Sequence, residues 1–300
     1  MYLKSYNYPK NILVMLISIL CLNSYAQNDS LYKAQTLCNE KKFSEAITSI
    51  DKVILNPETD KDPASWHIRA YAYLQSYKQN GSGNTSKVSL LDTALHSALI
   101  SLQYDSKFEY KENNLAFLKN GAASYYKICI ILLQDSLNFI SSEKFYFEYK
   151  KYTTIVNPTF NLIEKDIEYY NAVGGLFGDL YSKNNFNQKY GDFAKTALLK
   201  VLEIDSKNIS ANINLGILYY NQGATLMREL DYEVQLDQLE VVQENAKKLF
   251  KQSLPFMMKV YELQPKDARA IEGIAGIYSA LLDEEKANEF KRKKEALNKK

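Results

Sequence analysis

A spacing recurs along this chain and restricts what it can fold into. In Asn212-Ile213-Asn214-Leu215-Gly216-Ile217-Leu218-Tyr219, a Leu-Gly pair is followed three residues later by Tyr. The frame returns as Ile271-Glu272-Gly273-Ile274-Ala275-Gly276-Ile277-Tyr278, with Ala287 twelve residues after Ala275. Trp66-His67-Ile68-Arg69-Ala70-Tyr71-Ala72-Tyr73 carries it a third time. A small residue at a fixed place on an apolar stripe, repeated at the period of a supersecondary unit, predicts stacked helical hairpins. Two short antiparallel helices cannot bury both faces alone, so such pairs stack.

The small residues mark where the two helices of a pair, A and B, come close. Ala34, Ala70, Gly216 and Ala275 take that place in helix A; Ala46, Ala94, Ala194 and Ala287 take it in helix B. Larger apolar and aromatic residues fill the rest of the i, i+3, i+4, i+7 stripe. Turn signals close the units at Asn56-Pro57, Asp105-Ser106-Lys107, Asn157-Pro158, Asp205-Ser206-Lys207-Asn208 and Gln264-Pro265-Lys266-Asp267. Pro cannot continue a helix and pushes the residue before it out of the α region. Asp and Ser offer side-chain oxygens to the next helix N-terminus. The expected fold class is therefore all-α.

These residues resemble tetratricopeptide repeats, a 34-residue helix–turn–helix family. Trp66, Ala70 and Tyr73, and Leu215, Gly216 and Tyr219, match its helix A pattern. Ala46, Ile50, Val53 and Pro57, and Ala194, Leu198, Val201 and Ser206, match helix B. The resemblance implies a right-handed α-solenoid of about six hairpins over residues 27–300, with units near 27–62, 63–108, 109–159, 160–208, 209–267 and 268–300. In resembling proteins the A helices line a concave groove that holds a peptide or a helix of a partner. Carried over by position, the groove would be lined by Leu31, Gln35 and Cys38 in the first unit, His67, Tyr71 and Leu74 in the second, and Ile213, Ile217 and Tyr220 in the fifth. The subfamily that clamps C-terminal carboxylates has Lys and Asn where this chain has Leu31 and Gln35, which disfavours that ligand.

Several units exceed 34 residues. The second carries the loop formers Lys78-Gln79-Asn80-Gly81-Ser82-Gly83-Asn84-Thr85. The fifth carries an insertion near residues 225–243. There Leu239, Val242, Ala246, Leu249 and Ser253 step by three or four, as a lengthened helix B would. Glu229, Asp231, Glu233, Asp237, Glu240 and Glu244 give it an acidic, solvated face. Pro255 is expected to kink this helix.

The first 26 residues form a targeting segment. Lys4 and Lys10 precede the apolar run Ile12 to Leu22, and Ser24-Tyr25-Ala26 supplies small residues before Gln27, the pattern of a secretory signal peptide cleaved after Ala26. The run is too short to span a bilayer. Export to a periplasm follows, with secretion, or lipidation at Cys21, as alternatives. Leu20 is bulky where a lipoprotein motif wants a small residue.

Loss of Lys4 and Lys10 brings the formal charge of +2 to zero. A neutral chain lacks the basic footprint that nucleic acid demands. The C-terminal Lys291-Arg292-Lys293-Lys294 follows Asp283, Glu284 and Glu285, a charge order that complements the helix dipole. Cys38 and Cys129 lie on apolar stretches of non-adjacent units, where free buried thiols are expected.

No chemistry shows in the pattern. The chain has two histidines, His67 and His96, without metal-ligand spacing or a nucleophile motif. Gly174-Gly175 and Gly81-Ser82-Gly83 lack the residues of a phosphate loop. No cofactor, metal or catalytic site is expected. Two function classes remain: a protein-binding scaffold or adaptor of the cell envelope, and an exported glycan-binding protein. Trp66, the one Trp, sits at a packing position, which weakens the second.

Overall fold

Apolar residues spaced three and four apart wind into helices wherever the turn residues leave them uninterrupted. The structure, a computed structural model, describes residues 29–81, 83–134, 139–184, 186–229 and 236–298. Twelve α-helices and no strand occur among these residues. The signal peptide of residues 1–26, Cys21, Ser82, Asp231 and Glu233 lie outside the described residues. No described helix is long and apolar enough to cross a membrane.

The helices follow one another as pairs: α1 (29–39) and α2 (Phe43–Val53), α3 (Pro63–Gln79) and α4 (Val88–Tyr104), α5 (Lys111–Leu133) and α6 (Ser142–Val156). Then come α7 (Ile163–Lys183) and α8 (Gln188–Ile204), α9 (Ile209–Arg228) and α10 (Leu236–Leu263), α11 (Ala268–Ala280) and α12 (Glu284–Asn298). They gather into two compact units that divide between Phe160 and Asn161, three pairs in each.

Helix starts use the turn residues. Asp62 accepts from the backbone N–H groups of Ala64 and Ser65, with Pro63 at the first helical position. Asn187 caps α8, Asn208 caps α9 and Asp267 caps α11 in the same way. Each supplies an oxygen to N–H groups that have no partner within the helix. Asp105, 4% exposed, holds the N–H groups of Glu109 and Tyr110 ahead of α5. Three of the turns within pairs carry a non-glycine residue at positive φ: Lys41 at 61°, Phe186 at 56° and Leu282 at 61°. Lys42 N–H closes onto Leu37 O and Asp283 N–H onto Tyr278 O, both at 2.9 Å, which satisfies late carbonyls of α1 and α11.

In the first unit, α2, α3 and α4 are pinned by one polar cluster. Arg69 Nε donates to Asp51 Oδ1 at 2.7 Å, Tyr73 OH donates to Asp51 Oδ2 at 2.7 Å, and Arg69 Nη1 donates to Ser97 Oγ at 2.7 Å. Trp66 is held beside it, its Nε1–H donating to Asp60 O at 2.5 Å and its ring under the Arg69 guanidinium. The loop after α3 folds back through Gly83, whose N–H donates to Tyr77 OH at 2.8 Å and whose φ of +95° suits glycine. Cys38 and Cys129 are buried and free, and burial pushes their thiols up to about 11 and about 12. At neutral pH they are protonated and unreactive.

In the second unit, glycine sets the distance between helices. A Cβ on Gly174 would lie 2.4 Å from Leu198 of α8, and one on Gly216 would lie 2.8 Å from Met257 of α10. Ser253 Oγ donates to Gly216 O at 2.6 Å, a contact open only to helices this close. The insertion near residues 225–243 divides between both helices: α9 runs on to Arg228, and α10, 28 residues long, begins at Leu236. Asp237, Glu240 and Glu244 are exposed, as expected of a solvated face. Pro255 lies inside α10 without ending it.

Gly216→Leu should overpack the α9–α10 contact and lower stability by about 1–3 kcal/mol. Thermal unfolding of the purified variant measures this; an unchanged midpoint would remove Gly216 from that contact.

Candidate functional site

Each A helix of a stack meets its own B helix and its neighbours. A side chain on its remaining face is free only where those neighbours leave room. The nine residues expected to line the groove separate on this criterion, Cys38 being already buried.

In the first unit the face is filled. The His67 ring stacks on Phe117 of α5 at 5.2 Å and tilts against Tyr110 at 4.8 Å. Tyr71 meets Phe43 and Phe117, each at 6.1 Å between centroids. His67 Nδ1 lies 2.8 Å from Asn114 Oδ1; Asn114 Nδ2 donates to Ser101 Oγ, which donates to Pro63 O, each at 2.8 Å. Because the Asn114 amide nitrogen faces Ser101, its oxygen faces His67, and Nδ1 carries the proton. The network satisfies Asn114, which is wholly buried. Burial holds the His67 imidazole below its ordinary value, against the hydrogen bond to Asn114 and the field of Asp105. His67 and Tyr71 therefore join α3 to α5. Leu74 is 1% exposed and cannot line a groove. Leu31 packs on Ala34, Ile50 and Val53, and Gln35 is exposed.

In the second unit the face stays partly open. Ile213 is a correction to the expected lining: it is buried with Val260 and Ala270, because the small Ala270 brings the start of α11 against it. One turn on, Ile217 is 42% exposed. Tyr220 is half-buried, its ring tilted on Phe250 at 5.4 Å, so it serves packing and surface together.

Two adjoining hollows meet along α9. The first, with ≈ 560 Å³ of open space, lies between α7 and α9 over Gly174, Gly175, Gly178 and Asn214. The second, with ≈ 680 Å³, lies between α9 and α11 over Tyr220, Glu272, Gly273 and Gly276. Ile217 and Asn221 border both. Neither the Asn214 nor the Asn221 side-chain amide bonds another described residue. Seven residues apart on one helix, they share a face at a separation of about 10.5 Å. Among the residues lining the hollows are two carboxylates, Asp179 and Glu272, and no Lys, Arg or His.

The glycines here are of two kinds. Gly174, Gly216 and Gly273 stand where a Cβ would crowd Leu198 or Met257. Gly178 would meet nothing within 4 Å, Gly175 only Asn214 Nδ2 at 3.9 Å, and Gly276 only Tyr220 at ordinary contact distance. Packing does not require glycine at these three positions. Sequence reasoning weighed Gly174-Gly175 only as a phosphate loop and overlooked Asn214, Asn221, Asp179 and Glu272. The signal was present as several glycines within two A helices. Among the described residues no group of three or more His, Cys, Asp or Glu could hold a metal ion.

No family model matches the chain, and no curated protein matches it. A search of solved structures finds similarity to an IFIT1 monomeric mutant with Gppp-AAAA, at 13% identity and a TM-score of 0.38, covering 85% of this chain. The chain spans 46% of that structure's length.

Two outcomes follow from this geometry. Gly178→Ala should raise stability, by up to about 1 kcal/mol, since alanine is the better helix former and its methyl meets no neighbour; a lower melting midpoint would place an unseen neighbour there. For His67, whose folded value lies below the unfolded 6.5, the unfolded chain takes up the proton first. Its contribution is fully present above that value and is lost as pH falls through and below it. The melting midpoint should therefore drop more between about pH 7.5 and about pH 5.5 in the parent than in His67→Gln. Equal drops would deny His67 that role.

Proposed function

We propose that this chain is an exported, non-enzymatic scaffold or adaptor of the tetratricopeptide-repeat type, acting in the bacterial cell envelope, with the periplasm as its compartment. It takes a segment of a partner protein into the groove that α7, α9 and α11 form in the second unit. The observation that carries this is the pair of adjoining hollows centred on exposed Ile217, floored in part by Gly175, Gly178 and Gly276, which packing does not require, and flanked by two amides that bond no other described residue. An apolar centre rimmed by polar groups suits a polypeptide occupant. A phosphate-bearing ligand is disfavoured, because the lining offers two carboxylates and no cation. Export rests on the charge, apolar run and small residues of the first 26 positions. The protonated, buried thiols suit a chain that needs no cross-link.

Ile217→Asp tests the groove. The side chain is exposed, so stability should stay within about 0.5 kcal/mol of the parent. Crosslinking in cells followed by mass spectrometry should show envelope partners with the parent and their loss with the variant. Retention of the same partners at the same yield would refute the groove as the binding surface.

A further inference from the structure

We propose that the segment held in the second unit's groove is an extended, cationic stretch of polypeptide that places a Lys or Arg side chain at Asp179. This rests on the binding function proposed above and specifies its partner. The two hollows sit on either side of α9, with Asp179 of α7 on one flank and Glu272 of α11 on the other. Glu272 already accepts from Lys294 Nζ at 2.6 Å, whereas Asp179 has no ion partner among the described residues. Asp179 is thus the unopposed charge of the groove and Glu272 the secondary one.

The amides argue for an extended occupant. A carboxamide presents a donor and an acceptor together, a match for the N–H and C=O of a main chain. Within a helix those groups are already spent on one another; in an extended chain they are free. Asn214 and Asn221, about 10.5 Å apart along α9, span about three residues of extended chain. Without side chains at Gly175, Gly178 and Gly276, the occupant's main chain can approach the walls of α7 and α11. Ile217, between the amides, meets its apolar side chains.

The experiment measures fluorescence anisotropy of the purified chain with three pools of labelled nonapeptides. The pools share the same apolar and neutral positions and differ at two sites, occupied by Lys or Arg, by Asp or Glu, or by Ser or Gln. The cationic pool should bind tightest and weaken as salt rises. Asp179→Asn should cost the cationic pool roughly three- to fivefold in affinity and the neutral pool nothing. Asp179→Lys combined with Glu272→Lys should reverse the preference toward the acidic pool. Equal binding of all three pools, abolished throughout by Ile217→Asp, would overturn the cationic assignment and leave the groove standing. Binding of no pool, or binding indifferent to Ile217→Asp, would overturn the groove as well.

Discussion

Helices of this chain pack closely where one of them presents a glycine or an alanine, and closest where it lacks a side chain altogether. Gly216 faces Met257, Gly174 faces Leu198, and Gly121 of α5 faces Leu95 of α4, each within a distance that a Cβ would occupy. These contacts let a larger residue of one helix seat itself on the backbone of another, and dispersion then accumulates over many atoms. The polar contacts depend on the same proximity. Ser253 of α10 reaches the carbonyl of Gly216 on α9, and Ser101 of α4 reaches that of Pro63 on α3, because the paired helices lie this close.

The open groove and the filled one are two outcomes of that rule. In the first unit α5 brings Tyr110 and Phe117 onto the face of α3, and His67 and Tyr71 are consumed in an aromatic stack. In the second unit the corresponding region is bordered by Gly175 and Gly178 on α7 and by Gly273 and Gly276 on α11. These glycines project no side chain over α9, and Ile217 keeps its exposure. Ile213, one turn earlier on the same stripe, loses it to Ala270 and Val260.

Pattern in the sequence foretold the helix pairs because they are local: apolar residues at fixed steps, closed by Asp, Asn and Pro whose side chains act on adjacent backbone. Ala46, Ala94, Ala194 and Ala287 are all buried for the reason their spacing suggested. What remained out of reach joins residues far apart in the chain. Asn114 lies 47 positions from His67, and no periodicity announces that one will satisfy the other. Leu74 and Ile213 were assigned to the groove because a helical stripe is continuous in sequence, whereas exposure along it depends on the neighbouring helices. Asn214 and Asn221 carried no motif at all, since an amide without a partner is recognisable only once its surroundings are known.

The turns at Lys41, Phe186 and Leu282 hold the chain in a left-handed conformation that disfavours any residue with a Cβ, by about 1–2 kcal/mol. At Phe186 the side chain repays this, since its ring meets Tyr181 edge-on at 5.3 Å and lies beneath the Arg228 guanidinium at 4.4 Å. At Leu282, 87% exposed, no such contact is in place. The fold thus carries unspent tolerance at the tip of its last hairpin, remote in sequence from α7 and α9. A lineage could draw on that reserve by exchanging Leu282 for glycine or asparagine, and so offset the helix-weakening glycines that keep its groove open.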